Sequence, residues 1–305
     1  MSGGPSRRLL AAAAGLVADR CWGEPPASLH PVVAFGRLMA GVEDAVYADD
    51  RAAGAAYVAL GVAVALGAGI STGSTTLAVA LSASGRTLRA TARQIAAALA
   101  AGDLRLARAQ LPALVGRDPE ALDGSGIAAA AVESLAENTV DAVVAPAVFG
   151  AALGAPGVAA HRAVDTLDSM VGYRTSRYQR FGWAGARLDD AAAFVPARLT
   201  AALVCLRRPA RARAVLTTVR RDAPRHPSPN AGVAEAAFAG ALGLELGGPT
   251  RYATHVEDRP RLGDGPRPGV ADIERAARLV DEVEVLLVGL LVGFGLGLGV
   301  GRRAS

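Results

Sequence analysis

Apolar and polar positions fall in long blocks along this chain, with no strand-like alternation sustained across several segments. Residues 9–18 (LLAAAAGLVA) form an apolar block after Arg7-Arg8, and Asp19-Arg20 closes it without a small-x-small cleavage site. The block predicts a retained N-terminal helix, too short to span a membrane unless its ends contribute. After a turn at Gly23-Glu24-Pro25-Pro26 and His30-Pro31, residues 32–47 regain helical periodicity, with Phe35, Met39 and Val42 on one face. Residues 55–70 carry no charge, and the uncharged run continues to Ser84. That is long enough to cross a bilayer, which needs about 20 residues. Over 86–115, Arg86, Arg89, Arg93, Asp103, Arg105 and Arg108 alternate with leucine and alanine. This predicts a pair of amphipathic surface helices, broken at Gly116-Arg117-Asp118-Pro119. A central helix is expected over Ile127 to Pro146, with Ser125 as its N-cap.

Residues 142–160 are apolar but interrupted by Pro146, Gly150, Gly154, Pro156 and Gly157. They predict a short span or a broken, re-entrant segment. Residues 191–206 are apolar around Arg198 and make a marginal span. Residues 283–301 carry the second clear membrane signature, and Arg302-Arg303 marks a cytoplasmic end. The expected fold is all-α: a polytopic membrane protein with three to five membrane-associated helices, forming a single integral membrane domain over 1–305. Its main polar segments are 86–140, 161–190 and 207–282. If 142–160 and 191–206 both spanned, the segment 161–190 would face the side opposite the other two. Groups from all three can meet only if at least one of those stretches is re-entrant or buried.

Composition supports a membrane protein. Mean hydropathy is +0.30, aromatic residues make up 4%, and the apolar mass is alanine, valine, leucine and glycine. Small residues let helices approach closely. All 32 basic residues are arginine, which excludes Schiff-base chemistry and a P-loop lysine. The +4 charge is interleaved with acids, so no nucleic-acid footprint is present, and anionic substrates or lipid head groups suit it better. Cys21 and Cys205 have no companions that would make a zinc site or a disulfide framework.

Candidate chemistry concentrates in four places. In IAAAAVESLAENTVDAVVAP, Glu133, Glu137 and Asp141 are spaced four apart, so an α-helix stacks them in one acidic stripe beside Asn138. Like charges on one stripe repel unless arginine, a metal ion or a cationic substrate group faces them. A solvated helix face is the plain alternative, and the apolar flanks weaken it. Hard oxygen ligands suit Mg2+, with Glu133 and Asp141 as candidate metal ligands. The second place is 161–181 (HRAVDTLDSMVGYRTSRYQRF). There Asp165 and Asp168 precede a row of Arg174, Arg177 and Arg180, a metal-plus-phosphate arrangement or a surface salt-bridge helix. The third is the loop DAPRHPSPNAG, whose three prolines stiffen a display of Asp222, Arg225, His226, Ser228 and Asn230. His226 is a candidate general base or phosphate contact, against the plainer reading of a hydrogen-bonded histidine. The fourth, EDRPRLGDG at 257–265, reads more simply as a solvated turn.

Together with DRCWGEPPASLHPVVAFGRL near the N-terminus, three stretches resemble the CobD/CbiB family. They are GRDPEALDGSGIAAAAVESLAENTVDAVVAPAVF, RAVDTLDSMVGYRTSRYQRFGWAGARLDD and DAPRHPSPNAGVAEAAFAGALGLELGGP. Members are integral membrane adenosylcobinamide-phosphate synthases of cobalamin biosynthesis. The resemblance implies ATP-dependent amide formation between adenosylcobyric acid and (R)-1-aminopropan-2-ol or its O-phosphate. The corrinoid and ATP are then substrates, and Mg2+ accompanies ATP. Glu133, Glu137 and Asp141 would hold Mg2+ or bind the amine, and His226 would assist proton transfer. Asn138, Asp168, Arg174, Arg177, Arg225, Ser228 and Asn230 would contact substrate or phosphate. Asp165 departs from the family's RAVNTLDSM-type run, placing a charge where that run has asparagine. The implied setting is multi-pass in the cell membrane, in contact with lipid, with the active site facing the cytoplasm. Other enzymes of the corrinoid pathway are candidate partners. The competing class is a non-catalytic membrane corrinoid-binding protein or transporter. A transporter would place its ionisable groups in spanning helices near the midplane, whereas most here lie in polar segments.

Overall fold

A computed structural model describes residues 4–173, 175–251 and 256–301. The chain is nearly all-α, as its apolar periodicities predict. In order, the helices are α1 (Pro5–Trp22), α2 (Pro31–Val46), α3 (Arg51–Thr72), α4 (Thr75–Ser82), α5 (Gly85–Ala100) and α6 (Leu104–Gln110). Then come α7 (Gly124–Thr139), α8 (Ala145–Leu153), α9 (Ala155–Val171), α10 (Tyr178–Phe181), α11 (Trp183–Ala192) and α12 (Phe194–Arg207). The last are α13 (Ala212–Asp222), α14 (Ala231–Leu242) and α15 (Val270–Gly301). Four two-residue strands precede α15: β1 (Leu246–Gly247), β2 (Thr250–Arg251), β3 (Val256–Glu257) and β4 (Arg261–Leu262). They pair antiparallel as β1 with β4 and β2 with β3.

The sequence reading takes 1–305 as one domain, whereas the coordinates separate into two compact units. The first comprises the described parts of Met1–Ser84, Asp141–Ala193 and Leu287–Ser305, and the second comprises Gly85–Val140 with Phe194–Leu286.

The first unit is built on small residues. Asp50 caps α3 by accepting from Ala52 N at 2.7 Å and Ala53 N at 3.1 Å. Glycines then let α3 lie close to its neighbours: a Cβ on Gly69 would sit 2.7 Å from Pro156 Cα on α9. Around this seam Met39, Tyr57, Val58, Leu167, Val171 and Phe181 form a buried cluster, flanked by Phe35 and Val42. The expected apolar face of α2 is thus the face that packs. Burying each of the larger side chains there stabilises by roughly 1.5–3 kcal/mol.

The stretch 142–160 is broken, as its prolines and glycines predict. A π-helical turn at Val140–Val144 leads into α8, and Gly154 at φ 73° ends α8 before α9 begins. Among the described residues, two helices are long and apolar enough to cross a membrane: Arg51–Thr72 and Val270–Val300. These are the two strongest apolar runs in the sequence. The marginal stretch 191–206 forms α12, which has 14 residues and falls short of a span.

In the second unit, the charged stretch 86–115 forms the expected helix pair, α5 and α6. Its arginines meet acids of the α15 segment in this unit. Arg89 pairs with Glu284 where both are buried, and Arg93 donates to Glu274 at 2.9 Å. The expected cap of α7 needs correction. Asp123 caps that helix, accepting from Gly126 N at 2.7 Å, while the Ser125 hydroxyl donates to Pro268 O at 2.9 Å. Both residue types cap well, but the carboxylate two residues earlier reaches the free N–H.

A candidate active site in the second unit

Helix α7 is buried along Ile127–Ala136, and alanine fills most of those positions. Glu133 is 3% exposed within that apolar setting. A lone carboxylate there would be costly, and the fold compensates it twice. Arg117, from the segment between α6 and α7, donates to Glu133 Oε2, and Gly247 N donates to Oε1 at 2.8 Å. Glycine is required at 247. Its φ is 74°, and a Cβ would stand 2.1 Å from Pro260 O.

Of the three partners the stripe admits, the one facing Glu133 is arginine. Glu133 as a metal ligand therefore gives way to an ion pair, because both its oxygens already accept from donors. Glu137, one turn on, is exposed. Asp141 lies past the start of the π turn and belongs to the first unit, so the straight stripe ends at Glu137. Among the described residues, no three His, Cys, Asp or Glu side chains form a group that could hold a metal ion.

The proline loop faces the same region. His226 is 8% exposed, and its Nδ1 lies 3.1 Å from Ser228 N and 3.2 Å from Ser228 O, accepting from the one or donating to the other according to its tautomer. Helix α14 begins just beyond, and all twelve of its residues are buried. Its close approach requires Gly232, where a Cβ would lie 2.4 Å from His226 Cβ. One turn later α14 carries Glu235, 1% exposed, with Oε1 3.7 Å from His226 Nε2. Neither Glu235 oxygen nor His226 Nε2 has a hydrogen-bond partner among the described residues.

Burial, then the nearby Glu133 and Glu137 carboxylates, push the Glu235 carboxyl well above the ordinary glutamate range; Arg259 and Arg117 oppose this. Burial also holds the His226 imidazole below its usual value, with the Ser228 contact opposing. The site therefore pairs an imidazole held toward its neutral form with a carboxyl held toward its protonated form. That is a proton-handling pair, set beside an arginine-neutralised carboxylate. A cleft of about 600 Å³ is lined by Arg198, Leu216, Val219, Pro224, His226 and Pro229, among others. This volume lies within the range of small-molecule sites.

The remaining loop residues serve mainly to hold the loop. Arg221 donates to both oxygens of Asp222 at 2.7 and 2.8 Å, and Gly263 N donates to Asp222 at 2.9 Å. The Arg221 contact keeps the Asp222 carboxyl below the usual carboxylate range. The Ser228 hydroxyl accepts from Ala231 N at 3.1 Å, and Asn230 Oδ1 accepts from Arg198 at 2.7 Å. Asn138 donates to Ser134 O at 3.0 Å on its own helix. Arg225 is exposed and lies 3.9 Å from Asp222.

The second polar segment belongs to the first unit. There Arg177 pairs with Glu43 at 3.0 Å and lies over the Tyr47 ring, Arg162 donates to Asp165 at 2.8 Å, and Asp168 lies on α9. Arg174 lies outside the described residues. Glu133, Glu137, Asn138, Arg225, His226, Ser228 and Asn230 therefore share one unit, and Asp141, Asp168 and Arg177 share the other.

Sequence reasoning passed over Arg117, Glu235 and Arg259. Glu235 carries the same signal as Glu133, a single acid in an apolar helical run. Arg259 lies in the loop read as a solvated turn, where it donates to Glu257 at 2.9 Å and bears electrostatically on Glu235.

Comparison with known proteins is consistent over most of the chain. A family model described as CobD/Cbib protein matches residues 12–280. Cobalamin biosynthesis protein CobD of Mycobacterium tuberculosis is 47% identical over 294 residues, covering 91% of this chain and 94% of the relative. The protein of the same name from Chromobacterium violaceum is 42% identical over 283 residues, covering 87% and 90%. That of Rhodobacter capsulatus is 52% identical over 186 residues, covering 61% and 59%. No solved structure matches this chain. With the family model spanning well over half its length, the chain belongs to the CobD/CbiB family.

Proposed function

We propose that the protein is a carbon–nitrogen ligase of cobalamin biosynthesis, joining a carboxylate of adenosylcobyric acid to (R)-1-aminopropan-2-ol or its O-phosphate at the expense of ATP. One observation supports this reading above the others. Among the described residues, the second unit buries a carboxyl without a hydrogen-bond partner beside a neutral imidazole, Glu235 and His226, next to a carboxylate neutralised by Arg117. Structural helices have no need of such a group, whereas amide formation must strip protons from an ammonium ion.

A carboxylate is a poor electrophile. ATP converts it to an acyl phosphate, releasing ADP, and the amine then displaces phosphate. The acidic surroundings of Glu137 and Glu235 favour an ammonium group, and His226 is suited to proton transfer. The exposed Arg225 and the nearby Arg259 are the cations of this unit best placed to meet phosphate oxygens. Mg2+ supplies further charge neutralisation when it is bound to the triphosphate. The two long apolar helices support a cell-membrane location, and we extend this to a multi-pass protein with its active site on the cytoplasmic side.

The test is to incubate purified protein with ATP, Mg2+, adenosylcobyric acid and each amine in turn, and to identify the product by mass. The expected product has the mass of the corrinoid plus the amine less one water, with ADP formed in equal amount. Corrinoid recovered unchanged with both amines would refute the ligase reading.

A further inference from the structure

We propose that Glu235 receives the substrate's ammonium group and takes its first proton, with His226 as the second contact. This rests on the ligase reading and assigns its proton acceptor. Glu235 Oε1 and Oε2 and His226 Nε2 are buried, and none has a hydrogen bond among the described residues. Buried polar atoms are rarely left so, because each costs about 1–3 kcal/mol. The gap between His226 Nε2 and Glu235 Oε1 is 3.7 Å, too long for a direct hydrogen bond. Three acceptors so placed suit a group carrying several donors.

Imidazole tautomerism makes all three atoms acceptors. Ser228 presents its N–H at 3.1 Å and its carbonyl at 3.2 Å to His226 Nδ1. When Nδ1 carries the proton it donates to Ser228 O, and Nε2 is left with a lone pair facing Glu235. Two carboxylate oxygens and one ring nitrogen then match the three N–H donors of a primary ammonium. The surrounding charge agrees, because the Glu133 and Glu137 carboxylates both act on Glu235 more strongly than Arg259 and Arg117 oppose them. The same surroundings favour the protonated form of Glu235 before substrate arrives, and an arriving ammonium replaces that proton with its own charge.

Protons and electrons balance through the amide-forming step. The bound ammonium passes one proton to ionised Glu235 and becomes a neutral amine. Its lone pair forms the C–N bond as the C–O bond to phosphate breaks. The second proton leaves the nitrogen for the departing phosphate oxygen by way of His226 Nε2, and the amide keeps the third hydrogen. Protonated Glu235 then resets when the next ammonium binds.

The test compares two nucleophiles, 1-aminopropan-2-ol and hydroxylamine. Hydroxylamine is largely unprotonated at neutral pH and attacks acyl phosphates without surrendering an ammonium proton first. Glu235→Gln keeps the size and removes the proton acceptor. Its kcat/KM with aminopropanol is expected to fall about 100-fold or more, while hydroxamate formation falls by far less. Glu235→Asp, which keeps a carboxylate, should show the same bias in weaker form, and it carries the test if the glutamine variant does not accumulate. Equal losses with both nucleophiles, or no loss with either, would overturn the proposal. Wild-type protein that made neither amide nor hydroxamate would instead overturn the ligase reading itself, and this assignment with it.

Discussion

Arg117→Ala is expected to destabilise the second unit by about 3–5 kcal/mol, the cost of leaving a buried carboxylate without its cation. The Glu133 side chain is 3% exposed and that of Arg117 12%, so solvent cannot replace the guanidinium. Gly247 N–H would remain as a donor to Glu133, but one neutral donor does not offset a buried charge. Amide hydrogen exchange along α7 and thermal unfolding in detergent would report the loss. The double variant Arg117→Ala/Glu133→Gln should recover most of the stability, since it removes the orphaned charge along with its partner. If both variants unfolded alike, the pair would not be what holds Glu133 in place.

Gly54→Ala is expected to destabilise the first unit by about 3 kcal/mol or more, although alanine is the better helix former. The propensity gain is about 1 kcal/mol at most. Against it, a Cβ at position 54 would stand 1.8 Å from Phe181 O and 2.6 Å from Phe181 C. Those are backbone atoms, so no rotamer change relieves the overlap. Either α3 or the α10 segment must move, which parts Tyr57 from Phe181, whose ring centroids are 5.1 Å apart. Gly67→Ala on the same helix is the control. Nothing lies within 4 Å of that position, so only the propensity gain should remain there. A thermal shift of the same sign and size in both variants would show that close approach at Gly54 does not matter.

What could be read from the sequence follows from which signals are local. The uncharged run at 55–70 and the apolar run at 283–301 announce α3 and α15, because length and hydropathy need no partner to be recognised. The face of Phe35, Met39 and Val42 was legible for the same reason. The acidic stripe was legible only in part. Its spacing assumed a straight α-helix, and the π turn at Val140–Val144 comes between Glu137 and the helix that follows. The identity of the group opposite Glu133 was not legible at all. Arg117 lies 16 residues away across a break, and Gly247 lies 114 away. Glu235 was visible as a lone acid in an apolar run, yet its meaning depends on His226 Nε2, which only the turn between them brings to 3.7 Å. Ser228 has a contact that the loop pattern did not announce: its hydroxyl accepts from Ala231 N at the start of α14.

The most direct test of the proposed chemistry follows the oxygen that ATP must remove. Adenosylcobyric acid labelled with 18O in its reacting carboxylate would be incubated with the purified protein, ATP, Mg2+ and the amine, and the released phosphate analysed by mass. Activation as an acyl phosphate predicts one 18O in each phosphate and one in each amide formed. Amide carrying a single 18O alongside wholly unlabelled phosphate, or no amide at all, would contradict it.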